Sequence, residues 1–250
     1  MKKILITNDD GYMAKGIGTL AEALSGLGEI YVVAPSQQKS ACGHGITLHR
    51  PMVVREVEVP FAKRAWSVDG TPADCVKLGI RELVKDVDIV VSGTNMGSNL
   101  AEDCFYSGTV AGAAEAVFCG KPAIAVSIAA NYPENYEPSM EIARKAVSLV
   151  FEKGLEKGTV LNINLPDIPG EEIKGVRITT TGHVSYNEAF KHAESNLGGE
   201  FFWYDGTPVK LPQMEGSDIL AIREGFISLT PLKFDMTDYD KLDYFKTWFD

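Results

Sequence analysis

Short apolar segments alternate with amphipathic segments along the first 165 residues, and this alternation constrains the fold more than any other feature. The predicted strands are 4–6, 30–34, 88–92, 123–128 and 160–164. The predicted helices are 17–27, 71–84, 108–119 and 139–152, and a hairpin is predicted from 52–59 and 65–68. Because helices between apolar strands favour right-handed crossovers, we expect an α/β fold with a Rossmann-like, doubly wound, mostly parallel sheet.

The character of the sequence changes after Pro166. Strands are predicted at 176–180, 201–204 and 226–230, with no long helix before residue 237. We therefore expect an α/β core of residues 1–166 and a smaller β-rich C-terminal extension of residues 167–250. The extension ends in an aromatic tail, residues 234–249, which packs on its own domain or forms a subunit interface, where aromatic residues are enriched.

Composition and charge narrow the classes of partner. The 250 residues carry a net charge of −10 without a basic run, which disfavours binding to nucleic acid or to an anionic membrane surface. No secretory segment precedes the first strand, and no apolar stretch in the sequence reaches the ~18 residues that a membrane span needs. We expect a cytoplasmic protein that binds neither nucleic acid nor membrane.

Three polar loops that contain glycine follow three predicted core strands. Loop one is residues 8–11, loop two is residues 35–47 and loop three is residues 92–109. Because open α/β sheets bind ligands at the carboxyl ends of their strands, we expect these loops to converge on one site. The sequence contains neither the glycine-rich dinucleotide motif nor the P-loop motif, so neither of those chemistries is indicated.

Loop one carries two adjacent carboxylates, Asp9 and Asp10, followed by Gly11. Burial of such a pair raises at least one pKa unless a cation offsets the charge, and hard cations such as Mg²⁺ or Mn²⁺ prefer oxygen ligands. Asn95 in loop three and Ser40 in loop two could add neutral oxygen ligands. The alternative is an ordinary helix cap and turn, since aspartate caps helices well and Asp-Gly pairs are common in turns.

Loop three ends with Ser107-Gly108-Thr109, directly before a helix of small residues. The first turn of a helix offers free N–H groups and the positive end of the helix dipole, which suits a phosphate, and the two hydroxyls could add donors. The alternative is a plain serine N-cap.

The cysteines and histidines give weaker signals. Cys75 and Cys119 lie in apolar helical patterns and are predicted to be packed thiols. Cys42 and Cys104 lie in the loops, where a nucleophilic role stays open although neither has a convincing histidine partner in the sequence. His44 is a candidate for proton transfer, and the alternative is a solvated loop histidine.

Taken together, the ordered motifs resemble those of the SurE family, the survival protein E nucleotidases. The matching segments are 6–12, 32–40 with 43–44, 70–76, 92–97 through 106–110, and 225–232. The resemblance implies a metal-dependent phosphatase that acts on nucleoside 5′- or 3′-monophosphates, with short polyphosphate as an additional substrate. It also implies one Mg²⁺ or Mn²⁺ ion per subunit, and a homodimer or tetramer formed through C-terminal segments. The metal ligands that it implies are Asp9, Asp10, Ser40 and Asn95.

Two positions depart from the family pattern. The family often has Asn-x-Gly-Asp-Asp where this chain reads Asn99-Leu100-Ala101-Glu102-Asp103, and Ser-Gly where it reads Ser40-Ala41. Ala101 cannot replace a glycine at positive φ without strain, so we expect the local backbone or the substrate preference to differ. The implied metal ligands are unaffected by either departure.

The resulting hypothesis is metal-assisted hydrolysis of a phosphomonoester, with Asp9, Asp10 and Asn95 as catalytic residues. The residues predicted to contact the phosphate of the substrate are Ser107, Gly108, Thr109 and Gly43. Their N–H groups and hydroxyls would stabilise the charge on the phosphoryl oxygens in the transition state. Attack by water is the simplest route, and a covalent aspartyl-phosphate stays open.

Other functions also stay open from the sequence. A haloacid-dehalogenase-type phosphatase likewise begins with a strand that ends in acids, but its Asp-x-Asp spacing fits the adjacent Asp9 and Asp10 poorly. A nucleotide sensor without catalysis would use the same pocket, and a scaffold would require the three loops to be a coincidence. The base, the 5′ or 3′ preference and the metal are not readable from the sequence.

Overall fold

The apolar runs of the first 165 residues form the parallel centre of a nine-stranded sheet in the computed structural model, which describes residues 1–187, 190–194, 198–209 and 212–249. The strands are β1 Lys3–Thr7, β2 Glu29–Pro35, β3 Val54–Val57, β4 Arg64–Val68, β5 Ile89–Met96, β6 Ala123–Ile128, β7 Thr159–Leu165, β8 Val176–Ile178, β9 Tyr186–Asn187, β10 Phe190–Glu194, β11 Glu200–Tyr204, β12 Thr207–Pro208 and β13 Ile227–Lys233. The α-helices are α1 Lys15–Leu24, α2 Pro72–Leu78, α3 Asp103–Tyr106, α4 Gly108–Phe118, α5 Glu137–Lys153, α6 Asp218–Arg223 and α7 Leu242–Lys246.

The strand order of the large sheet is β3-β4-β2-β1-β5-β6-β7-β13-β8. The six strands from β4 to β7 in this order are parallel, which confirms the predicted α/β fold with a mostly parallel sheet. From β1 the chain first builds β2 and β4 on one side and then β5, β6 and β7 on the other. In doubly wound sheets, ligands bind in the crevice at such a switch point, here between β1 and β5.

Alternating side chains of β1 anchor helices on both faces of the sheet. Ile4 and Ile6 pack with residues of α1 and α5, whereas Leu5 packs with residues of α2 and α4. All three side chains are completely buried, and burial of such a side chain contributes about 1.5–3 kcal/mol. The end of β1 is therefore held by a well-packed core.

The helix boundaries follow local capping chemistry. The predicted start of α2 is confirmed, because the Thr71 hydroxyl accepts from the Asp74 N–H while the Asp74 carboxylate accepts from the Thr71 N–H. A π-helical turn, Gly79–Leu83, follows α2 within the predicted 71–84 segment. The helix predicted at 17–27 is shorter and ends at Leu24.

The C-terminal part adds to the same sheet. Strand β13 runs antiparallel to β7, and β8 pairs with β13 at the sheet edge. The predicted strands near 176–180 and 226–230 are thus present, whereas the short helix α6 was not predicted. The division at residue 166 stays a prediction, and the sheet continues across it.

Two aromatic segments lie outside the large sheet. Strands β10 and β11 form an antiparallel hairpin, and the tail forms a 3₁₀ turn followed by α7. The exposed aromatic residues of the hairpin are Phe190, Phe201, Phe202, Trp203 and Tyr204, and those of the tail are Tyr239, Tyr244, Phe245, Trp248 and Phe249. Among the described residues, no helix is both long enough and apolar enough to cross a membrane.

Candidate functional site

Loop one forms a tight turn that presents Asp9 and Asp10 at the carboxyl end of β1. The side-chain amide of Asn8 donates to the Gly11 carbonyl at 2.9 Å, and its amide oxygen accepts from the Gly11 N–H at 3.2 Å. Gly11 has a φ of +97°, which favours glycine. The turn interpretation is therefore confirmed, but the helix-cap interpretation is wrong because the cap residue of α1 is Ala14.

Asp9 is buried against the start of α4. Its exposed fraction is 3%, and its Oδ1 accepts a 2.5 Å hydrogen bond from the Thr109 hydroxyl. The pKa of the Asp9 carboxyl is raised from 3.8 to about 6, mainly by burial and also by the adjacent Asp10 charge, while hydrogen bonds from Thr109 act in the opposite direction. The ionised carboxylate is thus destabilised at this position unless a cation approaches it.

Gly108 permits the close packing of α4 on this carboxylate. A Cβ atom at position 108 would lie 2.7 Å from the Asp9 Cβ and 3.1 Å from the Cys42 Sγ. A side chain at this position would therefore displace Asp9 or the helix. Gly108 has a steric role that does not depend on any ligand.

The turn that was predicted to bind phosphate has hydrogen bonds of its own. The Ser107 Oγ accepts from the Val110 N–H at 3.0 Å, so the N-cap interpretation is confirmed. The Thr109 hydroxyl donates to Asp9, and the Thr109 N–H also bonds this carboxylate and lowers its pKa, so both donors of Thr109 face Asp9. Contacts of Ser107, Gly108 and Thr109 with a phosphate stay predictions.

Gln38 joins Asp10 to Ser40. Its Nε2 donates to the Asp10 Oδ1 at 3.3 Å and to the Ser40 Oγ at 2.9 Å. The other carboxylate oxygen, Asp10 Oδ2, accepts from the Met96 N–H at 3.2 Å. Burial raises the pKa of the Asp10 carboxyl, partly opposed by the bonds from Met96 and Gln38. No pattern in the sequence distinguishes Gln38, because glutamine is ordinary in a polar loop.

Asn95 lies within β5 rather than in a loop, since this strand continues beyond the predicted end at residue 92. The pairing of β5 with β6 shifts register between Ser92 and Asn95, and such bulges re-aim side chains next to functional sites. Asn95 is 7% exposed, and its Nδ2 donates to the Gly97 carbonyl at 2.9 Å. This bond uses the nitrogen of the amide and leaves the amide oxygen as the atom suited to a cation.

The four predicted metal ligands supply only oxygen atoms, which suits Mg²⁺ or Mn²⁺. The Gln38 side chain donates to both Asp10 and Ser40. Asp10 also accepts from the N–H of Met96, the residue that follows Asn95. Within the described ranges, no group of three or more His, Cys, Asp and Glu side chains could hold a metal ion. A cation here would therefore use two carboxylates together with neutral oxygens and water, a common arrangement for Mg²⁺.

Loop two is fastened to α3 and α4. The Gly43 N–H donates to the Tyr106 carbonyl at 2.8 Å, and the His44 Nε2 lies 2.9 Å from the buried Glu115 Oε2. Burial alone would raise the pKa of Glu115, but its bonds with His44 and Lys77 hold it below the ordinary value. His44 thus anchors the loop, while proton transfer by His44 and a phosphate contact of Gly43 stay predictions.

The cysteines near the site are poorly suited to a nucleophilic role, which requires the thiolate. Burial raises the pKa of the Cys42 thiol, and the charge of Asp9 adds to this effect. Burial raises the pKa of Cys104 to about 12. Cys75 is completely buried, as predicted, whereas Cys119 is only partly buried.

A buried polar network, which was not predicted, holds the middle of loop three. The Asn99 side chain donates to Ser127 at 2.8 Å, and its N–H donates to the Asn164 Oδ1 at 2.8 Å. The Asn99 carbonyl accepts from Asn162 at 2.9 Å and from Asn164 at 3.0 Å. Two asparagines at alternate positions of an apolar strand lie on one face and need buried partners, which is the signal that could have identified them.

Both departures from the family pattern have left-handed backbone. Ala41 has a φ of +56° and Ala101 a φ of +49°, so the strain expected at Ala101 is present. The Ala101 N–H donates to the Asp218 Oδ2 at 2.9 Å, and Asp218 is completely buried. This hydrogen bond holds the strained backbone in place.

A cavity of about 980 Å³ adjoins the start of α4. Its wall contains Ser107 and Phe105 of loop three together with the segments 179–182 and 230–236. Of the described residues, Ser107 belongs both to this wall and to the turn beside Asp9, whereas Asp9 and Asp10 lie outside the wall. The cavity therefore borders the carboxylate pair and does not enclose it.

Comparison with known proteins shows which family and which structures this chain is similar to. The family profile described as Survival protein SurE matches residues 4–188. A 5′-nucleotidase SurE from Geotalea uraniireducens is 44% identical over 248 residues, which cover 98% of each chain. A protein of the same name from Geobacter sulfurreducens is 44% identical over 247 residues, covering 98% of this chain and 93% of that protein. The crystal structure of the SurE protein from Aquifex aeolicus has a TM-score of 0.86 and 38% identity, covering 99% of this chain and 100% of that one.

Proposed function

Because this chain belongs to the survival protein SurE family, we propose that it is a 5′-nucleotidase, a phosphoric monoester hydrolase that releases phosphate from nucleoside 5′-monophosphates. The observation that carries the proposal is the buried Asp9 carboxylate, which Thr109 holds against the first turn of α4. A helix N-terminus suits a phosphate and carboxylates suit a hard cation, so the two features side by side suit the joint binding of both.

We further propose that the activity depends on one divalent ion per chain, Mg²⁺ or Mn²⁺. The residues that would hold it are Asp9, Asp10, Ser40 and Asn95. Support comes from the donor set, which is all oxygen, and from the burial of one carboxylate directly beside another. When bound, such an ion polarises a phosphoryl oxygen and lowers the pKa of a water ligand.

The residues of the chain supply orientation and charge stabilisation. Thr109 fixes one oxygen of Asp9, and Gln38 fixes Asp10 relative to Ser40. The N–H groups and the dipole of α4 would stabilise the phosphoryl oxygens as their charge redistributes in the transition state. The proposed phosphate contacts are Ser107, Gly108, Thr109 and Gly43.

We infer that water, rather than Asp9, attacks the phosphorus atom. Asp9 is 3% exposed, bonded to Thr109 and packed against Gly108, which restricts its use as an in-line nucleophile. Acid quench during turnover followed by borohydride reduction would convert an aspartyl-phosphate to homoserine. We expect unmodified peptides over residues 3–15, and homoserine at position 9 or 10 would overturn this inference.

The proposal includes nucleoside 3′-monophosphates and short polyphosphate as further substrates. The proposed metal ligands and phosphate contacts recognise a cation and a phosphoryl group, and none of these residues is proposed to select a base. We therefore expect the 3′ compounds to be hydrolysed, with the 5′ compounds preferred as in the names of the relatives.

We also propose that the chain forms a homodimer or tetramer through its C-terminal segments. The aromatic side chains of the hairpin and of the tail are exposed in the single chain. Soluble monomers rarely expose large contiguous apolar patches, so a second copy of the chain is the proposed cover.

Phosphate release from a panel of 5′- and 3′-monophosphates, measured with Mn²⁺, Mg²⁺ or EDTA, tests this function. We expect metal-dependent turnover that falls at least ~100-fold in Asp9→Asn. The matched control is Asp69→Asn, which removes a surface carboxylate paired with Arg50 and should leave turnover unchanged. Nucleotide binding without turnover would favour a sensor, and full turnover in EDTA would contradict the proposed ligand set.

A further inference from the structure

We propose that the extension holds loop three through a latch, and that Glu102 and Tyr186 in it are positioning residues for the phosphate-binding turn. The latch is defined as the contacts of residues 101–103 with residues 182–186 and Asp218. This inference rests on the proposed function, because its consequence is for phosphate binding at the start of α4.

The polar contacts of the latch join consecutive residues of loop three to the extension. The Glu102 Oε2 accepts from the Val184 N–H at 2.6 Å, and the Oε1 contacts the His183 Nδ1. The Tyr186 hydroxyl donates to the Asp103 Oδ2 at 2.8 Å. The acidic side chains of Glu102 and Asp103 thus form hydrogen bonds with residues 183–186 of the extension.

A buried carboxylate completes the latch. Asp218 is completely buried at the start of α6, where its Oδ2 accepts from the Ala101 N–H at 2.9 Å and its Oδ1 from the Gly182 N–H at 2.7 Å. Asp218, which is part of the extension, therefore bonds loop three with one carboxylate oxygen and residue 182 of the extension with the other. Leu100, Ala101 and Ile219 form a small apolar cluster at the same place.

Helix α3 depends on this latch for its position. It has only four residues, all described, and none of them is fully buried, so its own length does not fix it and only Cys104 packs against the core. The Cys104 side chain adds further tethers, because its thiol donates to the Asn99 carbonyl at 3.3 Å and its sulfur accepts from the Asn162 Nδ2 at 3.6 Å. At its far end, the Tyr106 carbonyl accepts from Gly43 of loop two, and the next residue is the Ser107 cap of α4. A shift of α3 would therefore move Gly43 and Ser107, two of the four residues that are proposed to contact phosphate.

Hydrogen exchange of the full chain tests the latch independently of turnover. We expect Tyr186→Phe and Glu102→Ala to speed amide exchange in peptides spanning 103–110 by about 3- to 10-fold, the effect of losing one hydrogen bond. Glu102→Gln keeps an acceptor for the Val184 N–H and should restore much of the protection. The matched control is Tyr31→Phe, which removes a tyrosine–carboxylate bond to Glu29 at the opposite end of the sheet.

Kinetics provide the second readout. In Tyr186→Phe and Glu102→Ala, we expect KM for a nucleoside 5′-monophosphate and the inhibition constant of inorganic phosphate to rise together by about 3- to 10-fold, with kcat nearly unchanged. Exchange and KM equal to those of Tyr31→Phe would overturn the latch. If the wild-type protein shows no turnover, the proposed function fails, and the exchange measurement alone decides the latch.

Discussion

At the scale of a single residue, the Asp9 carboxylate that is proposed to bind the metal also destabilises the metal-free protein. Its carboxyl is buried beside a second carboxyl, and its pKa is raised from 3.8 to about 6. The folded chain therefore binds more protons than the unfolded chain between about pH 4 and pH 6. By linkage, the stability of the metal-free protein falls as pH rises through this window, and the penalty is fully present above it.

Replacement of this group should stabilise the metal-free protein. Since each pKa unit corresponds to ~1.4 kcal/mol, Asp9→Asn is expected to gain up to about 3 kcal/mol at pH 7 and almost nothing below pH 4. Urea unfolding in EDTA at both pH values measures this, with Asp69→Asn as the control. A difference between variant and wild type that does not change with pH would contradict burial of the Asp9 charge as the origin of the instability.

The packing of Gly108 on Asp9 leads to a second prediction. Gly108→Ala places a methyl group 2.7 Å from the Asp9 Cβ and should displace the carboxylate. We expect kcat/KM to fall by about 100-fold while the chain stays folded, because misplacement by ~1 Å is enough for such a loss. Gly26→Ala is the control, since a Cβ there meets no atom within 4 Å among the described residues. Equal activity of the two variants would contradict the steric role.

Site residues next to strand ends were predictable, whereas their supporting partners were not. The strand-end rule places Asp9 and Asp10 directly from the sequence. Gln38 and Asn162 act through partners that are distant in the sequence, so only the folded chain identifies them. The four predicted phosphate contacts stay predictions, and the hydroxyl of one of them, Thr109, donates to Asp9 in this structure.

At the scale of the elements, α1 offers two glycines in contrasting surroundings. A Cβ at Gly16 would lie 2.0 Å from the Thr94 carbonyl oxygen, whereas a Cβ at Gly18 meets no described atom within 4 Å. Gly16→Ala should therefore destabilise the chain by roughly 1–3 kcal/mol through overpacking, and Gly18→Ala should stabilise it by up to about 1 kcal/mol through helix propensity. Urea unfolding of both variants distinguishes them, and equal effects would contradict the close approach of α1 to β5.

Element boundaries differ from prediction where tertiary pairing overrides local pattern. The residues around Gly93 and Asn95 are typical of a loop, yet pairing with β6 extends β5 to Met96. Helices α3 and α6 contain too few residues to show helical periodicity, so the sequence did not indicate them. The longer α4 and α5 were predictable because their patterns extend over several turns.

At the scale of the whole molecule, the exposed aromatic tail predicts self-association. We expect the wild-type chain to sediment as a dimer or tetramer, and Phe245→Ser with Trp248→Ser to weaken the assembly by about tenfold or more. Tyr132→Ser is the control, because this exposed tyrosine lies outside both aromatic segments. A chain that is monomeric at every concentration would contradict the proposed assembly.

The order of the sheet could be predicted only in part. Alternation of strands and helices indicates the parallel centre, because crossovers have one hand. To predict that β13 and β8 join the sheet beyond β7, one must know which edge strand of the parallel centre is left to pair. The sequence pattern of residues 167–233 does not show this.

The most direct test of the proposed metal site is a Mn²⁺ titration followed by the electron paramagnetic resonance signal of the free ion, with phosphate release measured in the same samples. We expect one site per chain, whose occupancy tracks turnover and which is lost in Asp10→Asn but kept in Asp69→Asn. Binding by Asp10→Asn that equals wild type, or turnover without bound metal, would contradict the assignment of this sheet edge as the metal site.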